Sequence, residues 1–361
     1  MTYLDANASE PLRPQARAAA IAALDATGNP SSVHAAGRAA RRLLEDARET
    51  IASRFGARPA DVVFTSGGTE ANALAIAGLG RGRSVIVGAT EHDAVRAAVP
   101  DAALLPVRPD GTADLDALDA LLARTPGALV CLMLANNETG VLHPIGDAAA
   151  ICRRHGALLH VDAVQAAGRM PVSLRGTGAD SLAVSGHKLG GPPGAGALIL
   201  AEGRSDIAPV LRGGGQERGR RGGTPALPAI AGFAAAAARG APPGIAGLRD
   251  AAEAAAVACG AVVCGGNAPR LPNTTSVALP GIRADAQVIA LDLAGIAVSA
   301  GAACSSGKVA TSHVLAAMGL GPLAGQAIRV SLPWSVQPAD IDAFATAYAA
   351  MAERLRRHLA A

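Results

Sequence analysis

The chain has 361 residues, which is enough for two domains or for one large domain with an appendage. Half of the residues are hydrophobic but only 2% are aromatic, so alanine must fill much of the core. The formal net charge of +3 is small, and no basic stripe alternates with aromatic residues, which argues against nucleic-acid binding.

Short β-branched runs alternate with helical segments over the first part of the chain. Buried strands are predicted at 62–64, 84–87, 128–134, 157–161, 181–184 and 195–200. Helices are predicted between them at 69–79, 114–124 and 146–155. This alternation predicts an α/β fold with a largely parallel sheet, in which ligands bind at the carboxyl ends of the strands.

A change of pattern follows the glycine- and proline-rich segment 240–244. Beyond it we predict a helix at 245–258, strands at 261–264 and 274–279, and a final helix at 338–359. We therefore expect a large domain of residues 15–243 and a small α+β domain formed by residues 1–14 together with 244–361.

The cellular setting can be predicted from the N-terminus and the cysteines. The opening MTYLDANASE has neither the basic region nor the apolar run of a signal peptide. The apolar stretch 225–238 contains proline and glycine and is too short to cross a bilayer. Five scattered cysteines form neither a disulfide framework nor a zinc-binding pattern, and no metal is expected. We expect a soluble cytoplasmic protein.

Only two of the 32 basic residues are lysines, Lys188 and Lys308. Arginine stays protonated, whereas lysine can lose its proton and act as a nucleophilic amine. Lys188 follows a predicted strand in Ser185-Gly186-His187-Lys188, and we interpret it as an imine-forming lysine that serves pyridoxal phosphate (PLP). Ser185-x-x-Lys188 also fits the S-x-x-K of penicillin-interacting serine enzymes, but their K-T-G and S-D-N partners are missing.

A bound PLP needs three further contacts, and the sequence has a candidate for each. Asp162 follows a buried strand and can keep the ring nitrogen protonated, with Gln165 near the phenolic oxygen. Gly67-Gly68-Thr69 lies between a strand and a helix, as a phosphate site should. His92 follows another strand and can stack on the ring. Each of these residues, taken alone, could instead be an ordinary turn, helix-cap or polar surface residue. It is improbable that all of them are ordinary at the same time, because these explanations are independent of one another.

Six ordered motifs resemble those of the NifS-like cysteine desulfurases, which are fold-type I PLP enzymes. The motifs are TSGGTE at 65–70, TEH at 90–92, NNExG at 136–140, HVDAxQ at 160–165, SGHK at 185–188 and RGGGQER at 212–218. The resemblance extends from residues 3–5 to residues 328–331, nearly the whole chain. It implies the fold-type I PLP-dependent transferase fold, with a large domain around a mostly parallel sheet and a smaller α+β domain.

The resemblance also implies roles at the matching positions around the cofactor. Lys188 would bind PLP covalently, and His92 would stack on the ring and move protons. Asp162 would pair with the pyridinium nitrogen, and Gln165 would contact the phenolic oxygen. The phosphate would be bound by four residues, Gly68, Thr69, Ser185 and His187.

Further implied roles concern the substrate and a second subunit. Asn137 would contact the cofactor and, together with Arg329, hold the substrate carboxylate. Thr224 would reach the phosphate in the partner subunit, which implies a homodimer.

Cys304 lies in a run of small residues at 299–307, which predicts a mobile loop with a reachable thiol. Lys308 is close enough in sequence to lower the thiol pKa and favour the thiolate. In the family this position is the persulfide-forming cysteine, and the serines after it resemble the subgroup with a long cysteine loop.

We therefore predict a PLP-dependent cysteine desulfurase that converts L-cysteine to L-alanine. A persulfide would form on Cys304 and pass to an iron–sulfur scaffold or a sulfur-carrier protein. Two alternatives are open. A selenocysteine lyase, or another PLP lyase of the same fold, would not need Cys304. A catalytically silent subunit that only binds partners would not need Lys188, Asp162, Gln165 and His92.

Overall fold

Strands of the chain form two main sheets in the computed structural model, which describes residues 1–204, 206–301 and 311–360. The strands are β1 (Thr2–Tyr3), β2 (Val62–Thr65), β3 (Val85–Gly88), β4 (Ala103–Leu105), β5 (Leu129–Cys131), β6 (Leu158–Asp162), β7 (Ser181–Ser185), β8 (Gly196–Leu200), β9 (Val262–Val263), β10 (Thr274–Ala278), β11 (Ile296–Ala297), β12 (Ser299–Ala300) and β13 (Ala327–Ser331).

Helices connect and cover these sheets. They are α1 (Pro14–Leu24), α2 (Ala35–Phe55), α3 (Gly68–Leu79), α4 (Asp93–Arg96), α5 (Leu115–Arg124), α6 (Ile145–Arg154), α7 (Leu174–Thr177), α8 (Leu227–Ala237), α9 (Ile245–Ala258), α10 (Ala284–Leu293), α11 (His313–Ala317) and α12 (Pro338–Ala360). Short 3-10 helices lie at Pro59–Asp61, Gly186–Lys188, Gln216–Gly219 and Gly321–Leu323. None of the helices in the described ranges combines the length and apolar character that a membrane crossing requires.

The larger sheet contains seven of the described strands, in the order β2-β8-β7-β6-β5-β3-β4. Strand β8 runs antiparallel to both neighbours, and the remaining pairs are parallel. The α/β class with a largely parallel sheet is therefore confirmed. The sequence analysis did not predict the edge strand β4, because it identified strands by β-branched runs and Ala103–Leu105 contains no β-branched residue.

The strands of the larger sheet are buried on both faces. Along β2, Val62 and Phe64 pack into one core with α2, whereas Val63 packs into a second core with α3. Alternate residues of a strand point to opposite faces, so helices on both sides explain why these strands are continuously apolar.

Helix α5 has a side-chain cap at its N-terminus, whereas helix α3 has none. Asp114 caps α5 by accepting hydrogen bonds from the amides of Asp116 and Ala117. The residue before α3 is Gly67, which has no side chain to act as a cap. The first backbone N–H groups of α3 are therefore available to bind an anion.

A second, antiparallel sheet has the order β12-β13-β10-β9 among the described strands. It packs with α9, α10 and α12 around a separate core that includes Leu4, Phe344 and Tyr348. The N-terminal strand β1 pairs with β11 beside this core. The predicted domain boundaries at residues 14/15 and 243/244 stay a prediction.

Candidate active site

A cavity of about 240 Å³ lies where the chain leaves strands β2, β3, β5, β6 and β7. The carboxyl ends of parallel strands meet at one edge of a sheet, and ligands bind there in open α/β folds. Nine of the predicted site residues line the cavity: Gly68, Thr69, His92, Asn137, Asp162, Gln165, Ser185, His187 and Lys188. The structure thus brings together residues that were selected as separate motifs.

Asp162 ends β6 and is buried, with each of its two carboxylate oxygens accepting one hydrogen bond. Oδ1 accepts from the amide of Val164 at 2.9 Å, and Oδ2 accepts from Nδ2 of Asn72 at 2.7 Å. Burial raises the pKa of Asp162, while both hydrogen bonds and the positive charge in the cavity oppose that rise. A cationic ring nitrogen beside this carboxylate would favour its charged form further.

Lys188 follows β7 in the 3-10 helix Gly186–Lys188. Its ammonium group donates to the carbonyl oxygens of Asn7 and Ala8, the latter at 2.9 Å. The same Asn7 carbonyl accepts a hydrogen bond of 3.0 Å from Nε2 of Gln165. The N-terminal segment therefore positions two predicted cofactor contacts at once.

The predicted phosphate contacts surround the N-terminus of α3. A Cβ atom at Gly68 would lie 2.7 Å from Cγ2 of Val164, so only glycine fits there without a shift. The buried hydroxyl of Ser185 has no hydrogen-bond partner among the described residues. A buried hydroxyl normally has a partner, and a phosphate oxygen would supply one.

His187 lines the same part of the cavity and lies 3.3 Å from the Ser9 hydroxyl through Nδ1. Burial lowers the pKa of His187 to about 4, with the charges of Lys188 and Arg169 as further causes. The imidazole is therefore neutral at neutral pH, and it can act as a hydrogen-bond donor to an anion without adding a charge.

His92 precedes the short helix α4 and is half-buried at the cavity wall. Its Nδ1 atom accepts a hydrogen bond of 3.0 Å from the amide of Ala94. Because Nδ1 accepts this bond, the neutral ring carries its proton on Nε2.

Arg329 does not line the cavity, but it borders it through Asn137. Its guanidinium group donates to the carbonyl oxygen of Asn137 at 3.0 Å and to Oδ1 of Asp5 at 2.6 Å. The Nε–H group of Arg329 is buried without a hydrogen-bond partner among the described residues. A donor of this kind can still bind a carboxylate.

Thr224, like Arg329, is a predicted site residue that does not line this cavity. Thr224 is exposed and lines a second cavity of about 150 Å³ together with Ser66 and Arg221. Cys304 and Lys308 lie outside the described residues. On either side of that segment lie Gly301 and Ser312. A Cβ atom at Gly301 would lie 2.5 Å from Oε2 of the buried Glu138, and the same oxygen accepts a hydrogen bond of 2.6 Å from the Ser312 hydroxyl.

Sequence reasoning missed three residues that hold the site together. Asn72 binds Asp162, Asn7 binds Lys188 and Gln165, and Glu138 meets Gly301 and Ser312. Glu138 belongs to the NNExG motif and Asn7 lies just after residues 3–5, where the family resemblance begins, so both could have been considered from the sequence. Asn72 lies on the apolar helix α3, and its polar character in a buried position was the only indication.

Comparison with known proteins identifies the family to which the chain belongs. The aminotransferase class-V family matches residues 2–344 of the chain. The NifS-like protein from Rickettsia africae has a similar structure, with a TM-score of 0.91 and 35% identity over 98% of this chain and 99% of that one. The site and fold thus define a fold-type I enzyme that uses PLP.

Two curated relatives narrow the class. An IscS-like cysteine desulfurase of Mycobacterium tuberculosis is 38% identical and covers 99% of this chain and 98% of its own length. A cysteine desulfurase of Cereibacter sphaeroides is 42% identical and covers 98% of this chain and 96% of its own length. The chain therefore belongs to the cysteine desulfurases of the aminotransferase class-V family.

Proposed function

We propose that this enzyme removes sulfur from L-cysteine and releases L-alanine. The main support is one cavity in which a lysine amine, a buried carboxylate, a half-buried histidine and a helix N-terminus meet. Each of these groups suits one part of PLP. The curated relatives named above are called cysteine desulfurases, which supports the same substrate and product here.

Groups that line the cavity would bind the amine-reactive carbon, the ring nitrogen and the phosphate of the cofactor. Lys188 supplies the amine that binds it covalently, and Asp162 pairs with its ring nitrogen. The first amides of α3 bind the phosphate, together with the Ser185 hydroxyl and His187. PLP, when bound, withdraws electrons from the substrate and so allows a proton to leave the α-carbon.

The substrate would be oriented by its carboxylate. The Nε–H group of Arg329 has no hydrogen-bond partner in the part of the chain that the structure describes, and Arg329 reaches the cavity wall through Asn137. A charge-assisted pair at this position fixes the α-amino group toward Lys188. Lys188 then takes the proton from the α-carbon, while His92, whose Nδ1 accepts from the amide of Ala94, holds its own proton on Nε2.

Sulfur transfer would occur at Cys304. Its thiolate attacks the substrate sulfur, so a sulfur–sulfur bond forms while the bond between that sulfur and the β-carbon breaks. The electron pair of the broken bond goes to the β-carbon, which takes up a proton and becomes the methyl group of alanine. The extra sulfur remains on Cys304 as a persulfide and passes to an acceptor for iron–sulfur clusters or thiolated cofactors.

We further propose a homodimer in a reducing cytoplasm. Thr224 is exposed and lies outside its own chain's cavity, so a partner's cavity is a reasonable destination for it. Val210 and Leu211, earlier in the same region, are also exposed and would be covered in a dimer. A reducing compartment would keep the Cys304 thiol available.

The direct test is incubation of the purified enzyme with PLP and L-cysteine, with and without a dithiol reductant, followed by measurement of alanine and sulfide. We expect alanine in both cases and stoichiometric sulfide only with the reductant, which frees the persulfide. A colourless protein that gains no visible absorbance with PLP would favour a silent subunit. Turnover of selenocysteine without turnover of cysteine would favour a selenocysteine lyase.

A further inference from the structure

A buried chain of hydrogen bonds leads away from Asp162 on the side of α3. Nδ2 of Asn72 lies 2.7 Å from the Asp162 carboxylate, and Oδ1 of Asn72 lies 2.8 Å from Nε2 of His160. Nδ1 of His160 lies 2.7 Å from the hydroxyl of Ser181, its register partner on the neighbouring strand β7. All four side chains are buried, with His160 and Ser181 fully inaccessible to solvent.

The chemistry of these groups fixes the direction of every hydrogen bond. The amide nitrogen of Asn72 can only donate, so the Asp162 oxygen that faces it must accept. The amide oxygen can only accept, so Nε2 of His160 must carry a proton. Burial lowers the pKa of His160 to about 3, so the imidazole holds a single proton and Nδ1 must accept from Ser181.

Each member of the chain prevents a rearrangement of the next. Rotation of the Asn72 amide would turn its oxygen toward the Asp162 carboxylate, and it would leave Nε2 of His160 opposite another donor. A change of His160 tautomer would break the bond to Asn72. The hydroxyl of Ser181 holds the imidazole ring in place through Nδ1, and because a hydroxyl can either donate or accept, the tautomer itself is fixed by the bond to Asn72.

Asp162 has a particular need for such support. Its burial disfavours the charged form, and Glu91 is a second fully buried carboxyl group near it. Burial, together with the charge of Asp162, raises the pKa of Glu91 well above its usual range. On the protein side, the donors from Asn72 and Val164 favour ionisation of Asp162, together with the charges of His92 and Lys188.

We propose that Ser181, His160 and Asn72 are positioning residues that keep Asp162 ionised for the ring nitrogen of PLP. The inference rests on the proposed role of Asp162. It assigns a function to three buried residues that act on the cofactor through Asp162. A purely structural role would predict changes in stability alone.

The test compares two replacements of His160 in enzyme loaded with PLP that is ¹⁵N-labelled at the ring nitrogen. His160→Gln keeps an N–H donor near the position of Nε2, whereas His160→Leu removes the donor and keeps a similar volume. The ¹⁵N chemical shift reports ring-nitrogen protonation, and the dissociation constant of PLP is measured in parallel. We expect His160→Leu to shift the signal toward the unprotonated ring and to weaken PLP binding roughly tenfold or more.

His160→Gln should keep the wild-type ¹⁵N signal and bind PLP within about threefold of wild type. If His160→Leu does not fold, Asn72→Ala decides the question, because it removes the side-chain donor to Asp162. A wild-type ring signal in the variant that folds overturns the inference. Asp162→Asn separates the two claims, since an unchanged ring signal in that variant would instead overturn the role of Asp162 itself.

Discussion

The guanidinium group of Arg329 donates a hydrogen bond of 2.6 Å to Oδ1 of Asp5, although the residues lie 324 positions apart. The pair joins the N-terminal segment to strand β13. It leaves the buried Nε–H of Arg329 without a partner among the residues described. Asp5 thus holds the guanidinium in place while one donor stays available for a substrate carboxylate.

Arg329→Ala should raise KM for L-cysteine much more than it lowers PLP affinity. Loss of a charge-assisted pair corresponds to about 1.5–3 kcal/mol, or roughly 10- to 100-fold in KM. Steady-state alanine formation and a PLP titration measure the two effects. An unchanged KM together with a lower unfolding temperature would show that Arg329 has a structural role only.

Lys188→Ala should abolish covalent attachment of PLP. The other lysine, Lys308, belongs to the predicted thiol loop and is not expected to replace it. Borohydride reduction followed by peptide mass spectrometry locates the cofactor. Lys188→Arg is the matched control, because it keeps the positive charge but cannot act as a nucleophile. An adduct on Lys308 in the wild-type enzyme would refute the assignment.

Sequence patterns predicted the residues that follow strands of the large sheet. Asp162 and Ser185 are the last residues of β6 and β7, and Lys188 follows β7 in a 3-10 helix. The apolar runs located those strands to within one or two residues. The parallel arrangement then placed their side chains in one cavity. The local sequence was sufficient to predict these residues, because the carboxyl ends of neighbouring parallel strands lie together at one edge of the sheet.

Long-range contacts could not be predicted in the same way. The pairing of Asn7 with Lys188 spans 181 positions, and that of Asn72 with Asp162 spans 90. Neither pair has a spacing that a helix or strand would impose. These contacts depend on how the N-terminal segment and α3 pack on the sheet, which composition and periodicity do not determine.

Glu217→Gln should destabilise the apoenzyme strongly. Glu217 forms a two-point ion pair with the buried Arg48 at 2.7 and 2.8 Å and accepts a hydrogen bond from the amide of Phe64. Removal of one charge from a buried pair reduces the free energy of unfolding by about 3–5 kcal/mol. Urea unfolding measures the loss.

The control for this prediction is Glu353→Gln, which removes the exposed ion pair between Glu353 and Arg357. An exposed pair contributes about 0–1 kcal/mol, so this variant should unfold almost as the wild type does. If both replacements lowered the free energy of unfolding equally, the buried pair between Glu217 and Arg48 would not be a major source of stability. The Glu217 contact also anchors the region of Thr224 to β2, so dimer dissociation should be followed in parallel.

Stability should fall in mild acid because of His143, which burial keeps neutral with a pKa lowered from 6.5 to about 4. Its Nδ1 accepts a hydrogen bond of 3.0 Å from the amide of Ala113, and protonation would break this bond. Below pH 6.5 the unfolded chain binds a proton at this residue that the folded chain does not. The stabilising contribution is therefore present above pH 6.5 and is lost as the pH falls toward 4.

His143→Asn isolates this effect, because asparagine keeps an acceptor for Ala113 but does not titrate. Between about pH 7 and about pH 5, the wild type should lose roughly 1–2 kcal/mol more unfolding free energy than the variant. Buried carboxyl groups contribute in both proteins and cancel in the difference. Equal losses in the two proteins would contradict the neutral state of His143.

The most direct measurement of the central claim uses Cys304→Ser, with Cys264→Ser as its matched control. Burial raises the pKa of Cys264 to about 11 and that of Cys152 to about 12, so neither thiol is a competent nucleophile at neutral pH.

Each protein is given a pulse of L-cysteine and then an alkylating agent. The extra sulfur is located by peptide mass spectrometry, and the alanine formed is measured in parallel. We predict that the sulfur lies on Cys304 in the wild type and in Cys264→Ser, and that Cys304→Ser binds PLP but forms almost no alanine. Sulfur on another cysteine, or full alanine formation by Cys304→Ser, would contradict a desulfurase that works through a Cys304 persulfide.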